Sequence, residues 1–482
     1  MSGSVAANQP GEVDVLAGLD AAPTTGFYWY LSLLACVGGF LFGYDTAVIG
    51  SVLDFIPYHL SDLAKGYLVA GASIGAAVGA LGAGPLTDRF GRKSLLIVDA
   101  AIYALGAILS AITVNAAMLL ASRTLIGLAV GADSAIATAY IAEFAPSSRR
   151  GALSLIQQWM ITVGILVSYI VALVTFKAAP QAAYGADWRI ILGLGAVPAL
   201  LAVALRTRMP ESPRWLMQQG RFADTRKALG LLGLDVSLER VRESAKLIVD
   251  QERAARDKSQ WTSGVKRALM LVCIFFIFQQ VSGINIPFYY GPQLLSQFFQ
   301  SGNSPLDAAI AGIWAATILG VINVIATYFG FRYIDKVGRR PLAIGGFAGM
   351  AVFILVASIG VSFLAGTPKI LTIMIGFSFF ITSFAIGVGG TGWLIQGEVF
   401  PTSVRGRAAA VGAGVDWLAN FVIILVFPLM TTALGLGWVM VLFAIICVGA
   451  VLYVRRSLPE TKGLSLEEIA AIFERSPNTT VN

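Results

Sequence analysis

Long apolar runs of roughly 20 residues, broken by short polar stretches, fill this chain. That length crosses the hydrocarbon core of a bilayer as an α-helix. Twelve such runs stand out, at 27–51, 66–87, 94–114, 116–144, 151–175, 189–206, 268–296, 308–331, 341–364, 370–399, 406–429 and 436–454. Residues 1–26 are polar and rich in Gly, Pro and Asp. No Lys or Arg precedes Lys65, so the basic start of a signal peptide is missing and the segment reads as a loose tail. From Arg206 to Arg267 the chain carries 14 basic and 8 acidic residues, with Leu238, Val241, Leu247 and Ile248 at helical spacing. Short amphipathic helices are predicted there, forming a linker.

Composition narrows the class. Apolar residues make up 57% of the 482 and charged residues only 13%, about half of the roughly 25% usual in soluble proteins. Disorder and an ordinary soluble enzyme are both excluded by that balance. A single histidine, His59, argues against His-based metal sites and Ser-His-Asp triads. Cys36, Cys273 and Cys447 each sit alone in an apolar run, which suggests neither a disulfide framework nor a CxxC site.

The net charge of +7 does not point to nucleic acid, because the basic residues lie in short loops between apolar runs. Of the 34 basic residues, 29 fall on one side of the predicted membrane; Lys65, Lys177, Arg189 and Lys369 fall on the other, and Arg123 lies within a span. The positive-inside rule then places both termini in the cytoplasm.

The two halves of the chain repeat. Asp88-Arg89-Phe90-Gly91-Arg92-Lys93 follows the second run, and Asp335-Lys336-Val337-Gly338-Arg339-Arg340 follows the eighth, 247 residues later. Glu143, Pro146, Arg150 and Gly151 recur 255 residues on as Glu398, Pro401, Arg405 and Gly406, and Pro210-Glu211 recurs as Pro459-Glu460. Matched pairs in the same order indicate two six-helix halves related by a parallel repeat, which rock about a site between them.

Further motifs are Gly39-Phe40-Leu41-Phe42-Gly43-Tyr44-Asp45, Pro210-Glu211-Ser212-Pro213-Arg214-Trp215-Leu216, Gln279-Gln280-Val281-Ser282-Gly283-Ile284-Asn285 and Pro459-Glu460-Thr461-Lys462-Gly463. With the two D-[RK]-x-G-R-[RK] loops, they resemble the sugar porter family of the major facilitator superfamily over nearly the whole chain beyond residue 26, and within it the bacterial sugar–proton symporters. The resemblance implies an all-α membrane protein with bundles at 27–206 and 268–456, a cytoplasmic helical linker at 207–267, and cytoplasmic tails at 1–26 and 457–482. It implies proton-coupled import of a small neutral sugar or polyol by alternating access, with no cofactor. The expected partners are the sugar, protons and membrane lipids, for a monomer in the cell membrane. An uncoupled facilitator and a membrane sugar sensor are the alternatives, and an enzyme is disfavoured by the lack of a nucleophile–base set.

Charged groups within spans carry the chemistry, since each costs about 2.5–3.5 kcal/mol or more at a helix centre. Asp45 in span one and Arg123 in span four should lie at similar depth, roughly 27 and 30 Å from the cytoplasmic end at about 1.5 Å per residue. They are placed to pair, with the arginine tuning the acid. The resemblance assigns proton coupling to these two. Amides offer both donors and acceptors, which suits a polyhydroxylated ligand. By resemblance Gln158, Gln279, Gln280 and Asn285 contact sugar, with Tyr289 and Asn323 near them, Trp393 and Trp417 packed on the sugar's apolar face, and Phe42 lining the cavity. Asp416 departs from the family pattern of Gln or Asn before that tryptophan, and is expected to alter substrate choice or add a proton site. Asp133 is another unusual intramembrane acid, with the same two expectations.

The resemblance also implies a cytoplasmic gate of Asp88, Arg89, Arg92, Glu143 and Arg150 in one half and Asp335, Arg339, Arg340, Glu398 and Arg405 in the other, pairing between neighbouring helices and across the halves. Gly387-Val388-Gly389-Gly390-Thr391-Gly392 fits GxGxxG but follows a helix, not a strand, so it predicts a bend or close packing in span ten. Gly71, Gly75 and Gly79 read as a helix-packing face.

Overall fold

A computed structural model of the chain describes residue 15 and residues 26–144, 150–256, 261–299, 304–401, 404–464 and 466–474. Every regular element among these is helical. Twelve helical segments are long and apolar enough to cross a membrane: Gly26–Phe55, Asp62–Phe90, Arg92–Ala111, Ala116–Ile141, Ile156–Ala178, Pro180–Arg206, Ser263–Val281, Pro305–Ile334, Arg339–Phe363, Gly366–Glu398, Arg405–Leu434 and Leu436–Ser457. We number these spans one to twelve.

Several spans are not continuous, span six among them, which breaks between helices Trp188–Gly193 and Ala196–Arg206. Span one breaks at Cys36, between helices Gly26–Ala35 and Val37–Val52. Span ten breaks at Val388, between Gly366–Gly387 and Gly389–Glu398, because Gly387 packs against the Leu342 carbonyl and Gly346 of span nine. The apolar run expected as one helix over 268–296 is instead the helix Ser263–Val281 followed by short helices Ile286–Tyr289 and Gly291–Ser296. The turn is made by Gly283, whose φ of 81° suits glycine and against which the Phe443 ring packs.

Small residues let helices of one half approach to backbone contact. Gly75 and Gly79 of span two lie on Thr124, Leu128 and Ala132 of span four, while Gly127 and Gly131 of span four lie on Ala72 and Ala76. Spans one and five meet the same way, through Gly43 on Ile161 and Gly164 on Phe40.

Helices Pro213–Gln218, Phe222–Leu231 and Leu238–Arg256 join span six to span seven and mark what we call the linker end; the opposite end is the far end. Ser212 caps the first of them on Trp215 N, 3.3 Å, and Trp215 Nε1 donates to Asp88 O of span two, 2.9 Å. Most of the tail read as loose lies outside the described residues. Within it Val15 is buried against Met217, Leu229 and Val241, and its N–H donates to Ser244 Oγ at 3.2 Å, so the tail is anchored at that point.

The halves meet at the far end. Gly50 of span one lies on the Tyr289 carbonyl, and Gly66 of span two lies on Leu425 of span eleven. Tyr169 of span five donates to Phe288 O at 2.8 Å, and Gln293 Nε2 to Asp54 Oδ1 at 2.7 Å. Asp54, His59 and Lys65 line a cavity of about 340 Å³ beside this seam.

Candidate functional site

The carboxylate of Asp45 receives the guanidinium of Arg123 in a two-pronged contact. Nη1 donates to Oδ1 and Nη2 to Oδ2, the latter at 2.8 Å. Arg123 Nε donates to Leu68 O at 3.3 Å, which ties the pair to span two. Arg123 is 0% and Asp45 2% exposed. Both charges survive burial only because each is the other's partner and the geometry is bidentate.

Deeper between the halves runs a chain of polar side chains. Gln280 Nε2 donates to Asp416 Oδ1 at 2.7 Å, and Asn285 Nδ2 donates to Gln280 Oε1 at 2.8 Å. Asn285 Nδ2 also reaches Asn420 Oδ1 at 3.0 Å, and Asn420 Nδ2 donates to Ser73 Oγ of span two at 3.0 Å. The chain therefore starts on span eleven, crosses to the end of span seven, returns to span eleven and ends in the other half. Tyr289 is buried beside it, toward Thr46 and Ser73. Asp416, Gln280, Asn285 and Asn420 are each bonded to a neighbour through bonds that sugar hydroxyls are able to replace.

Aromatic rings flank the chain. Phe42 of span one meets Trp417 edge-on, with centroids 4.9 Å apart, across the two halves. Trp393 packs on Phe276 at 5.0 Å. Gln279 is buried opposite Gly392 of span ten, where the missing side chain leaves it room. Gln158 is half-buried on span five. Asn323 stands apart on span eight, where it accepts a 3.5 Å bond from Thr327 one turn along its own helix.

Asn420 and Ser73 were not picked out from the sequence. Asn420 follows Asp416 by four residues, which puts both on one helical face; that spacing was the available signal. Ser73 carries no local signal.

At the linker end the charged motifs form two similar clusters. Arg92 pairs with Glu143 at 2.9 Å and with Asp88 at 3.5 Å, and Glu211 accepts from the backbone N–H of Arg92 and Lys93. In the other half Arg339 pairs with Glu398 at 2.8 Å, and Glu460 accepts from the backbone N–H of Arg339 and Arg340. Arg340 donates to Arg455 O at 2.6 Å, Arg405 to Phe400 O at 3.2 Å, and Arg89 lies over the Phe90 ring. Each of these bonds stays within one half. The side chains of Arg150 and Asp335 lie outside the described residues.

Asp133 is not a solitary acid. Arg206 Nη2 donates to its Oδ1 at 2.5 Å, and Arg206 Nη1 donates to Asp99 Oδ1 at 2.8 Å. Arg206 itself, counted from the sequence among the loop cations, is fully buried. Neighbouring acids on spans three and four draw it inward.

A profile of the family described as "Sugar (and other) transporter" matches residues 31–473. The glucose transporter GlcP of Staphylococcus epidermidis is 35% identical over 445 residues, covering 92% of this chain and 96% of that protein. The arabinose-proton symporter of Bacillus subtilis is 32% identical, covering 97% and 99%. The D-xylose transporter of Levilactobacillus brevis is 33% identical, covering 93% and 95%. Among solved structures, the partially occluded inward open conformation of the xylose transporter XylE from E. coli superposes with a TM-score of 0.77 at 27% identity, covering 92% of this chain and 100% of that one. With its twelve spans, its paired charge motifs and these relatives, the chain is a transporter of the major facilitator fold and not an enzyme, and it belongs to the sugar transporter family.

Proposed function

We propose that this protein imports a small neutral sugar or polyol across the cell membrane together with protons, by alternating access. The observation that carries coupling is the buried Asp45–Arg123 pair. A carboxylate held by one cation at membrane depth exchanges a proton at the expense of that contact, so protonation and helix position are linked. Protonated Asp45 releases Arg123 and lets the halves close over sugar; ionised Asp45 holds Arg123 and opposes the loaded transition.

Gln280, Asn285 and Asp416 bind the sugar hydroxyls, with Gln158, Gln279 and Tyr289 at the edges of the cavity and Phe42, Trp393 and Trp417 against its apolar faces. Two relatives are named for arabinose–proton and xylose transport, which supports a monosaccharide. The basic residues favour an orientation with both termini and the linker end in the cytoplasm, so the far-end seam closes the external side. The linker-end clusters brace each half as the two rock.

The test is uptake by proteoliposomes over pentoses, hexoses and inositols, with and without an inward proton gradient. Accumulation above equilibrium only with the gradient is expected. Equal uptake with and without it makes the protein a facilitator.

A further inference from the structure

Arg206 spends all five of its N–H donors at the break in span one. Nε donates to Leu34 O at 3.3 Å; Nη1 to Leu96 O at 2.5 Å and to Asp99; Nη2 to Ala35 O at 3.1 Å and to Asp133. The two freed carbonyls of the interrupted helix, span three, span four and span six are thus tied at one atom group. Gly38, just past the break, lies directly on the Asp133 carboxyl.

The charges do not balance. Two carboxylates face one guanidinium, and Asp99 Oδ2 and Asp133 Oδ2 are buried without any donor. The two carboxyls share one guanidinium, Asp99 Oδ1 on Nη1 and Asp133 Oδ1 on Nη2. A carboxylate accepts only, so the orphan oxygens need a hydrogen that no neighbour supplies. One proton shared between them removes the excess charge and provides the missing donor. Cys36 of span one is the other titratable group acting on the cluster, which otherwise consists of Asp99 of span three, Asp133 of span four and Arg206 of span six.

The fold does not require these charges. Carrying the repeat into the second half places Gly346 and Val388 where Asp99 and Asp133 stand. There Gly346 packs directly against the Val388 side chain, an apolar contact that fills the same position. Arg455, the counterpart of Arg206, is exposed at the end of span twelve.

We propose that Asp99 and Asp133 form a second proton-binding site, separate from Asp45, that takes one exchangeable proton between its two carboxyls and holds the break in span one when occupied. The proton comes from and returns to water at the linker end. When it leaves, the two carboxylates repel, and the contacts that tie the broken helix to spans three, four and six loosen. Only the part this plays in transport rests on the proton-coupled reading; proton binding itself is tested without transport.

The test uses the purified full chain in detergent, with Asp45→Asn and Asp416→Asn together to silence the other intramembrane acids discussed. Infrared difference spectra between acid and alkaline pH are recorded in sodium chloride and in choline chloride, with a single cooperative thermal unfolding transition used to certify folding. A protonated-carboxyl band that titrates equally in both salts is expected, and it should be lost on adding Asp99→Asn, whose amide donates permanently in place of the proton. Asp133→Asn serves the same purpose should Asp99→Asn not fold. A band unchanged by either substitution, no titrating band at all, or a band that follows sodium rather than pH overturns the proposal. Failure of gradient-driven uptake by the wild-type protein with this band intact removes the coupled reading and leaves the site standing.

Discussion

Gln293 donates to Asp54 across the seam between the two halves, Nε2 to Oδ1 at 2.7 Å. Both residues lie at the far end, so the bond exists only while that end is closed. Its net contribution is about 1 kcal/mol, a roughly fivefold bias toward closure. Gln293→Leu should therefore raise far-side labelling of a cysteine introduced at Thr46 about fivefold. Labelling at the wild-type rate means that the seam is held elsewhere.

Asp45→Asn removes the titratable group and keeps its size. Gradient-driven accumulation should be lost, while sugar binding and counterflow exchange remain. Vesicles of this variant that still concentrate sugar well above equilibrium under an imposed gradient rule out Asp45 as the sole coupling group.

Gln280→Ala deprives Asp416 of its partner and Asn285 of one of its two. Trp393→Ala removes the ring that packs on Phe276. Each should weaken sugar binding at least about tenfold, because a buried hydroxyl loses its bond or a ring face is lost. Calorimetric titration in detergent measures this, and unchanged affinity in both moves the cavity away from spans seven and ten.

Asp416→Gln exchanges an acceptor-only group for one that also donates. Transport should survive with a changed rank order of pentoses, hexoses and inositols in competition assays. An unaltered order would assign Asp416 to packing rather than to substrate choice.

Orientation is checked with reporters. One fused within 220–256 should read cytoplasmic and one beside Pro180 external. The reverse pattern would turn the protein over in the membrane.

The twelve spans were legible because bilayer thickness imposes a length that any apolar run displays. The Asp45–Arg123 pair was legible because two charges at equal depth have few other ways to be satisfied. Contacts made at a distance were not. Arg206 ends an apolar run two residues before Arg208 and reads like any flanking cation; what buries it is Asp99 and Asp133, 107 and 73 positions away. The same holds for the bond between Ser73 and Asn420, which are 347 residues apart. The break at Cys36 escapes a hydropathy pattern because no polar residue marks it, whereas the bend at Val388 was legible in the glycines from Gly387 to Gly392.

The seam at Gly50–Tyr289 and Gly66–Leu425 bears on leak. Where glycine brings backbone against backbone, no layer of mobile side chains separates the two halves. A wall of that kind has no gaps for water to thread, and protons travel along threads of water. On the proton-coupled reading proposed above, the far-end seam works as a gasket as well as a door, keeping the proton gradient from dissipating between transport cycles. A single methyl at Gly50 would act as a doorstop, and a carrier so wedged should pass protons without sugar.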